Sequence, residues 1–100
     1  MDIAVINNTA KSRYEALVHG EVAGFAEYVM GRSTIEFTHT YVETEFEGKG
    51  VASTIVRTSL DDVRDSGTHR VIATCEYYQG WIGKHPEYQE LLAQEPGSLA

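Results

Sequence analysis

Two glycines separated by one lysine, Gly48 and Gly50, stand directly ahead of an apolar-periodic run in the stretch Phe46 to Val56, FEGKGVASTIV. A glycine-rich turn that opens a helix presents unsatisfied backbone N–H groups at the positive end of the helix dipole. Without a Cβ, the backbone also lets an anion approach closely, so the chemistry on offer is capture of a phosphate. Lys49 adds a positive charge at the same place. The same glycines equally suit a plain tight turn capping a helix, with Lys49 simply solvated. Spacing excludes two phosphate motifs. The nucleoside-triphosphate loop G-x-x-x-x-G-K-S/T fails because Gly50 follows Lys49 and Glu43 stands where its first glycine belongs. The dinucleotide fingerprint G-x-G-x-x-G fails at Ser53. A pyrophosphate held at the helix start is the ligand left.

His39 and Cys75 carry the other reactive side chains. By alternation His39 shares a strand face with Ile35, Phe37 and Tyr41, either as a base near neutral pH or as a core histidine bonded to backbone. Cys75 ends an apolar run. It is either an inert buried thiol or, where a strand meets a helix start, a thiol of lowered pKa. Glu76 beside it acts in the opposite direction. His39, His69, His85 and Cys75 include no i, i+4 pair and no C-x-x-C, so no metal site is expected. Tyr77, Tyr78 and Trp81 form either a ligand wall or, as we expect, the packing face of a short helix.

The elements that position these residues follow from periodicity. Ile3 to Ile6, Tyr14 to Val18, Glu21 to Met30 and Thr34 to Val42 read as strands, with His19-Gly20 and Gly31-Arg32-Ser33 as turns between them. The first forty-odd residues therefore form an antiparallel β-meander. After Gly50, Ala52, Ile55, Val56, Leu60 and Val63 recur at spacings of three and four and mark an amphipathic helix that stops at Ser66-Gly67. Val71 to Cys75 is a short strand, apolar on both sides, which suits the inside of a mixed sheet. Tyr77 to Lys84 is a possible short helix. Glu87 to Gln94 is the better candidate, with Pro86 in its first turn. The second half is thus a βαβ unit, and the fold class is α+β, or mixed α/β.

The loop EGKGVA, Glu47 to Ala52, resembles the coenzyme A pyrophosphate loop of GNAT-superfamily N-acetyltransferases, in which Arg or Gln is followed by x-x-G-x and then Gly or Ala. Gly50 and Ala52 match; Glu47 departs from the Arg or Gln. The resemblance is greatest to the small stand-alone YjdJ-type proteins of that superfamily. It rests on four pieces in order: His39-Thr40-Tyr41-Val42, Gly48 to Ala52, Cys75, and His85-Pro86-Glu87-Tyr88. It spans residues 33 to 92, and Glu76 stands where those proteins often have proline.

The resemblance implies a truncated acyl-CoA N-acyltransferase fold that is one domain over residues 1–100, with its core in 3–94. It implies acetyl-CoA as cofactor, held by Tyr41, Val42, Phe46, Glu47, Gly48, Lys49, Gly50, Val51, Ala52 and Ser53. His39 and Cys75 are implied beside the acetyl group, with His39 as base and Cys75 as a nucleophile or a bystander. The expected activity is transfer of acetyl to an amine, a small amine or a basic peptide. The alternative is a CoA-binding or interaction module without turnover.

Composition limits the partners. Eight basic and 15 acidic residues give a formal net charge of −7, and no Lys/Arg cluster exists to neutralise nucleic-acid phosphates. The acidic field favours cationic partners such as amines. The start of the chain, MDIAVINN, lacks the basic and long apolar regions of a secretory leader, no stretch has the ~18 apolar residues of a membrane span, and one cysteine cannot form an internal disulfide. We expect a cytoplasmic protein, monomeric or weakly dimeric.

Overall fold

A computed structural model describes residues 2–93. Strands β1 (Ala4–Asn8), β2 (Arg13–Val18), β3 (Glu21–Met30) and β4 (Thr34–Val42) form the antiparallel meander. Helix α1 (Val51–Ser66) then crosses over to β5 (Arg70–Ala73), which pairs parallel to β4. The five strands lie in sequence order in one sheet. Helix α2 (Glu76–Gly83) follows, and single 3₁₀ segments span Thr9–Lys11, Thr44–Phe46 and Pro86–Leu91. The α+β class, the meander and the βαβ unit are as the sequence implies.

Both helices pack on one face of the sheet. Tyr14 on β2 donates to Asp62 of α1 at 2.6 Å, and burial with this acceptor pushes its phenol pKa well up. Tyr14, Tyr28 and Phe37 have ring centroids 5.6–6.2 Å apart. The ring of Tyr78, from α2, stacks on Phe37 at 4.3 Å. Tyr78 also reaches the buried Ser59 hydroxyl of α1 at 2.8 Å. Ile55, Val56, Leu60 and Val63 form the buried stripe of α1 at the spacing the sequence shows, with Val51 rather than the half-buried Ala52 opening it. Gly67 ends that helix in the left-handed region, φ 67°, and donates its N–H to Val63. On the other face stand Arg13, Glu15, Phe25, Glu27, His39 and Tyr41; among the described residues no helix packs there, and Glu15 is buried beside the Arg13 and Asn8 side chains that bond it.

Three expectations need correction. First, His39 does not share a face with Ile35 and Phe37. Phe37 pairs with Tyr28, but His39 pairs with Glu27, so Thr38 is an added residue in β4. A β-bulge of this kind reverses which side chains face the core beyond it. Second, β5 is the edge strand, not an inner one. Its outer edge is closed by a bridge from Val71 to Leu92 and by the Ala93 N–H on the Val71 carbonyl at 2.8 Å, so an edge position leaves this strand's backbone partly paired. Third, the α-helix of the C-terminal part is Glu76–Gly83, while Pro86–Leu91 is 3₁₀. Tyr78, Trp81 and Ile82 are buried and anchor α2. In the 3₁₀ segment Tyr88 and Leu91, three residues apart, both bury, as a three-residue turn allows. Gln94, assigned to that second helix and to the core, lies outside the described residues.

Candidate functional site

β4 and β5 pair only over Thr34–Phe37 and Arg70–Ala73. The N–H groups of Thr74 and Cys75 then both donate to the Phe37 carbonyl, at 3.1 and 3.0 Å. Beyond that point the chain after β5 turns into α2, while β4 runs on through Thr38–Val42 with no strand on that edge among the described residues. A gap opens where the two parallel strands part. The Glu43 N–H donates to Ala23 on the β3 side at 2.8 Å. Antiparallel alternation therefore turns the N–H and C=O of Thr40 and Val42 toward the gap.

Cys75 immediately precedes α2, with Sγ 3.4 Å from Thr40 Oγ1 on the helix-covered side. His39 is exposed on the opposite face, its ring 6.5 Å from that of Phe25 and its strand position paired with Glu27. The two reactive side chains flank the parting from opposite faces and do not share a wall.

At the other end of the gap lies a cavity of about 300 Å³. The turn and first helical residues Glu47, Gly48, Gly50, Val51, Ala52 and Ser53 form one side of it. Val42, Phe46 and Tyr77 form the rest. Gly48 and Gly50 have φ of 76° and 80°. These values explain why glycine stands at both positions, because L side chains pay in steric strain there. A Cβ on either glycine would meet nothing within 4 Å, so the room above the turn is open to a ligand. The Gly50 carbonyl accepts from both the N–H and the hydroxyl of Thr54, at 3.0 and 2.7 Å, which fixes the first turn of α1. The first N–H groups of a helix have no intrahelical partner, and Val51, Ala52 and Ser53, which carry them here, line the cavity.

Two residues assigned to cofactor binding lie off this wall. Lys49 is exposed and does not line the cavity. Tyr41 is on the open face, 5.5 Å from the Phe25 ring, with its hydroxyl donating to Glu43 at 3.2 Å. The Glu43 carboxylate raises its pKa.

Tyr78 and Trp81 pack as expected, but Tyr77 does not: it is exposed and lines the cavity, the wall role set second for it, because neighbouring helical positions face different sides. Sequence reasoning missed three further features. Thr40 meets Cys75 only because of the bulge. The Trp81 indole N–H donates to Ser53 Oγ at 3.1 Å. Gly24 carries no chemistry, yet a Cβ there would lie 2.6 Å from the Tyr41 carbonyl and 3.2 Å from Val51 Cγ1. Its two-residue neighbourhood shows no turn pattern that would have singled it out.

Among the described residues no group of three His, Cys, Asp or Glu side chains could hold a metal ion, and no helix is long and apolar enough to cross a membrane.

Comparison with known proteins agrees with this fold. A sequence family described as GCN5-related N-acetyl-transferase matches residues 13–91. Protein NATD1 of Xenopus tropicalis is 30% identical over 78 residues, 78% of this chain and 70% of that protein. The ribosomal-protein-alanine N-acetyltransferase of Brucella melitensis biovar Abortus 2308 superposes with a TM-score of 0.57 over 83% of this chain. At 17% identity the likeness is one of fold, and the chain spans 63% of that protein's length.

Proposed function

The chain belongs to the GCN5-related N-acetyltransferase family, and from that premise we propose that it binds acetyl-CoA in the parting between β4 and β5 and transfers the acetyl group to an amine. The observation that carries this is the conjunction of an unpaired β4 edge with a glycine turn opening α1 at its end. The residues fit the ligand. Gly48, Gly50 and the first N–H groups of α1 leave open space for a pyrophosphate. The bare N–H and C=O groups of Thr40 and Val42 suit the amide-bearing pantetheine arm, which can add to the edge as a short strand does. Val42, Phe46 and Tyr77 supply apolar walls. Lys49 and Tyr41 lie outside this cavity.

Acetyl-CoA supplies a thioester carbonyl carbon open to attack. A lysine-like amine, pKa ~10.4, is neutral in only about one molecule in a few thousand at pH 7, so it needs a base. His39 takes the amine proton as the C–N bond forms, directly or through one water, from the open face. The Thr40 backbone N–H, turned to the gap, is placed to donate to the developing oxyanion. Cys75, from the helix face, protonates the CoA sulfur as the C–S bond breaks, or first carries the acetyl group itself. Glu27 beside His39 and the chain's net charge of −7 support a cationic acceptor over an anionic one.

Calorimetry with acetyl-CoA and CoA, followed by a mass assay of transfer to polyamines and basic peptides, tests both halves. Absence of binding heat removes the cofactor assignment. Binding with no transfer to any amine makes the chain a coenzyme A-binding module.

A further inference from the structure

The geometry points to Trp81 as a positioning residue for the coenzyme: its indole N–H occupies Ser53 so that the Ser53 hydroxyl proton is free to donate to the pyrophosphate. This rests on the site proposed above and adds to it a residue on a different helix.

A serine hydroxyl can donate one hydrogen bond and accept two; an indole N–H can only donate. With Trp81 Nε1 3.1 Å from Ser53 Oγ, the serine must be the acceptor, and its own proton has to go elsewhere. Serines in helices usually turn that proton back onto a carbonyl of the preceding turn. Thr54, Ser59 and Ser66 of α1 do so, onto Gly50, Val56 and Val63 at 2.7, 2.9 and 3.0 Å. Ser53 does not; the Gly50 carbonyl within its reach is already bonded twice by Thr54. Among the described residues the Ser53 proton has no acceptor, and Ser53 lines the cavity below the glycine turn.

Trp81 is itself held from several sides. The His85 ring stacks on it at 3.7 Å with 10° between planes, and Tyr88 meets it edge-on at 5.0 Å. Arg57 of α1 lies over the indole at 5.1 Å. Tyr88 in turn donates to Asp61 of α1 at 2.6 Å. The segment His85-Pro86-Glu87-Tyr88 thereby acquires a physical role: it fixes the indole, and the indole fixes the donor direction of Ser53.

The chain has one tryptophan, so its indole N–H is a single resonance in a ¹H–¹⁵N spectrum. Titration of wild type with CoA is expected to shift that resonance, and titration with acetyl-pantetheine, a thioester without phosphates, to leave it in place. In calorimetry Ser53→Ala and Trp81→Phe are each expected to weaken CoA by about tenfold or more, the range of a lost hydrogen bond to a charged group. The double variant should lose no more than the larger single loss, and acetyl-pantetheine affinity should stay constant in all four proteins. An unmoved indole resonance at CoA saturation, equal losses for both ligands, or additive losses overturn the relay. Should Trp81→Phe fail to fold, the indole resonance and Ser53→Ala still decide it. Wild type that binds no CoA overturns instead the site on which the relay rests.

Discussion

Phe37 and His39 stand two positions apart on β4 yet point to opposite faces of the sheet: Phe37 is buried opposite Tyr28, and His39 is exposed opposite Glu27. The added residue between them, Thr38, also coincides with the end of β4–β5 pairing. One irregularity thus delivers His39 to the open face, Thr40 to Cys75, and an unpaired edge to the gap. A regular strand would have buried the histidine and left Thr40 in solvent.

The glycine at the head of α1 gives the first test. Gly50 sits at φ 80°, and no atom lies within 4 Å of the place a Cβ would take. Gly50→Ala is expected to cost about 1–2 kcal/mol through backbone strain alone, seen as a Tm lowered by at least about 4 °C. It also sets a methyl group where the phosphate is proposed to approach. Calorimetry should therefore show CoA weakened on the order of tenfold at a temperature where the variant is folded. CoA affinity equal to wild type would place the phosphate elsewhere.

Glu47 lines the cavity where an anion is proposed to sit, and its side chain is exposed. Glu47→Arg should tighten CoA, by about tenfold at low ionic strength and progressively less as salt is raised, since the side chain is exposed. Affinity measured across a salt series checks this. A salt-independent result, or no gain at low salt, would show that the charge does not face the ligand.

Most of the fold is legible in the residues because their periods are undisturbed. The α1 stripe from Val51 to Val63 and the glycine stop at Gly67 follow local rules with no competing signal. The cavity wall from Glu47 to Ser53, Lys49 excepted, is legible for the same reason, since the positive φ values of the turn favour glycine. The face of His39 is not. Ile35, Phe37, His39 and Tyr41 alternate without a break, and a bulge is fixed by pairing with β3, which a single strand does not reveal. The edge position of β5 is hidden likewise, because Leu92 covers Val71 from far along the chain. The Trp81–Ser53 contact joins residues 28 positions apart and leaves no local pattern.

Gly24 supports the site without touching a ligand. A Cβ there would lie 2.6 Å from the Tyr41 carbonyl, closer than backbone atoms permit, and 3.2 Å from Val51 at the first turn of α1. Gly24→Ala should destabilise by about 1–3 kcal/mol, as overpacking does. Thermal unfolding measures it, and a Tm unchanged from wild type would mean that β3 and β4 separate more easily than their pairing suggests.

Glu15 predicts a pH dependence of stability. The Arg13 guanidinium, bonded to its carboxylate at 2.7 Å, lowers its pKa below the ordinary 4.5; partial burial opposes this and Asn8 assists. A carboxyl group with a lowered folded pKa stabilises the fold above its unfolded value, and that contribution is lost as pH falls through the folded value. The Tm difference between wild type and Glu15→Gln should therefore hold steady from pH 7 to about 5 and shrink toward pH 3. A gap that stays constant to pH 3 would show that the Arg13 pairing does not favour the charged form.

His39 and Cys75 divide the proposed chemistry between the two faces of the gap, so their variants should behave differently. His39→Ala removes a base that typically contributes ~10²–10⁴-fold to rate. With the side chain exposed and away from the cavity wall, CoA affinity should scarcely change, so the loss falls on kcat. Cys75→Ala separates the two routes. If the amine attacks the thioester directly, the variant keeps much of its activity, because water can supply the sulfur's proton. If the cysteine carries the acetyl group, activity is lost almost entirely, together with the one-acetyl mass adduct, about 42 Da, expected on the wild-type chain. Thr40→Val adds a third comparison, since it removes the hydroxyl 3.4 Å from Cys75 Sγ while leaving the backbone N–H in place. It should alter the relay route and leave direct attack nearly unaffected. Wild-type rates for both His39→Ala and Cys75→Ala on a verified acceptor would remove both residues from the chemistry.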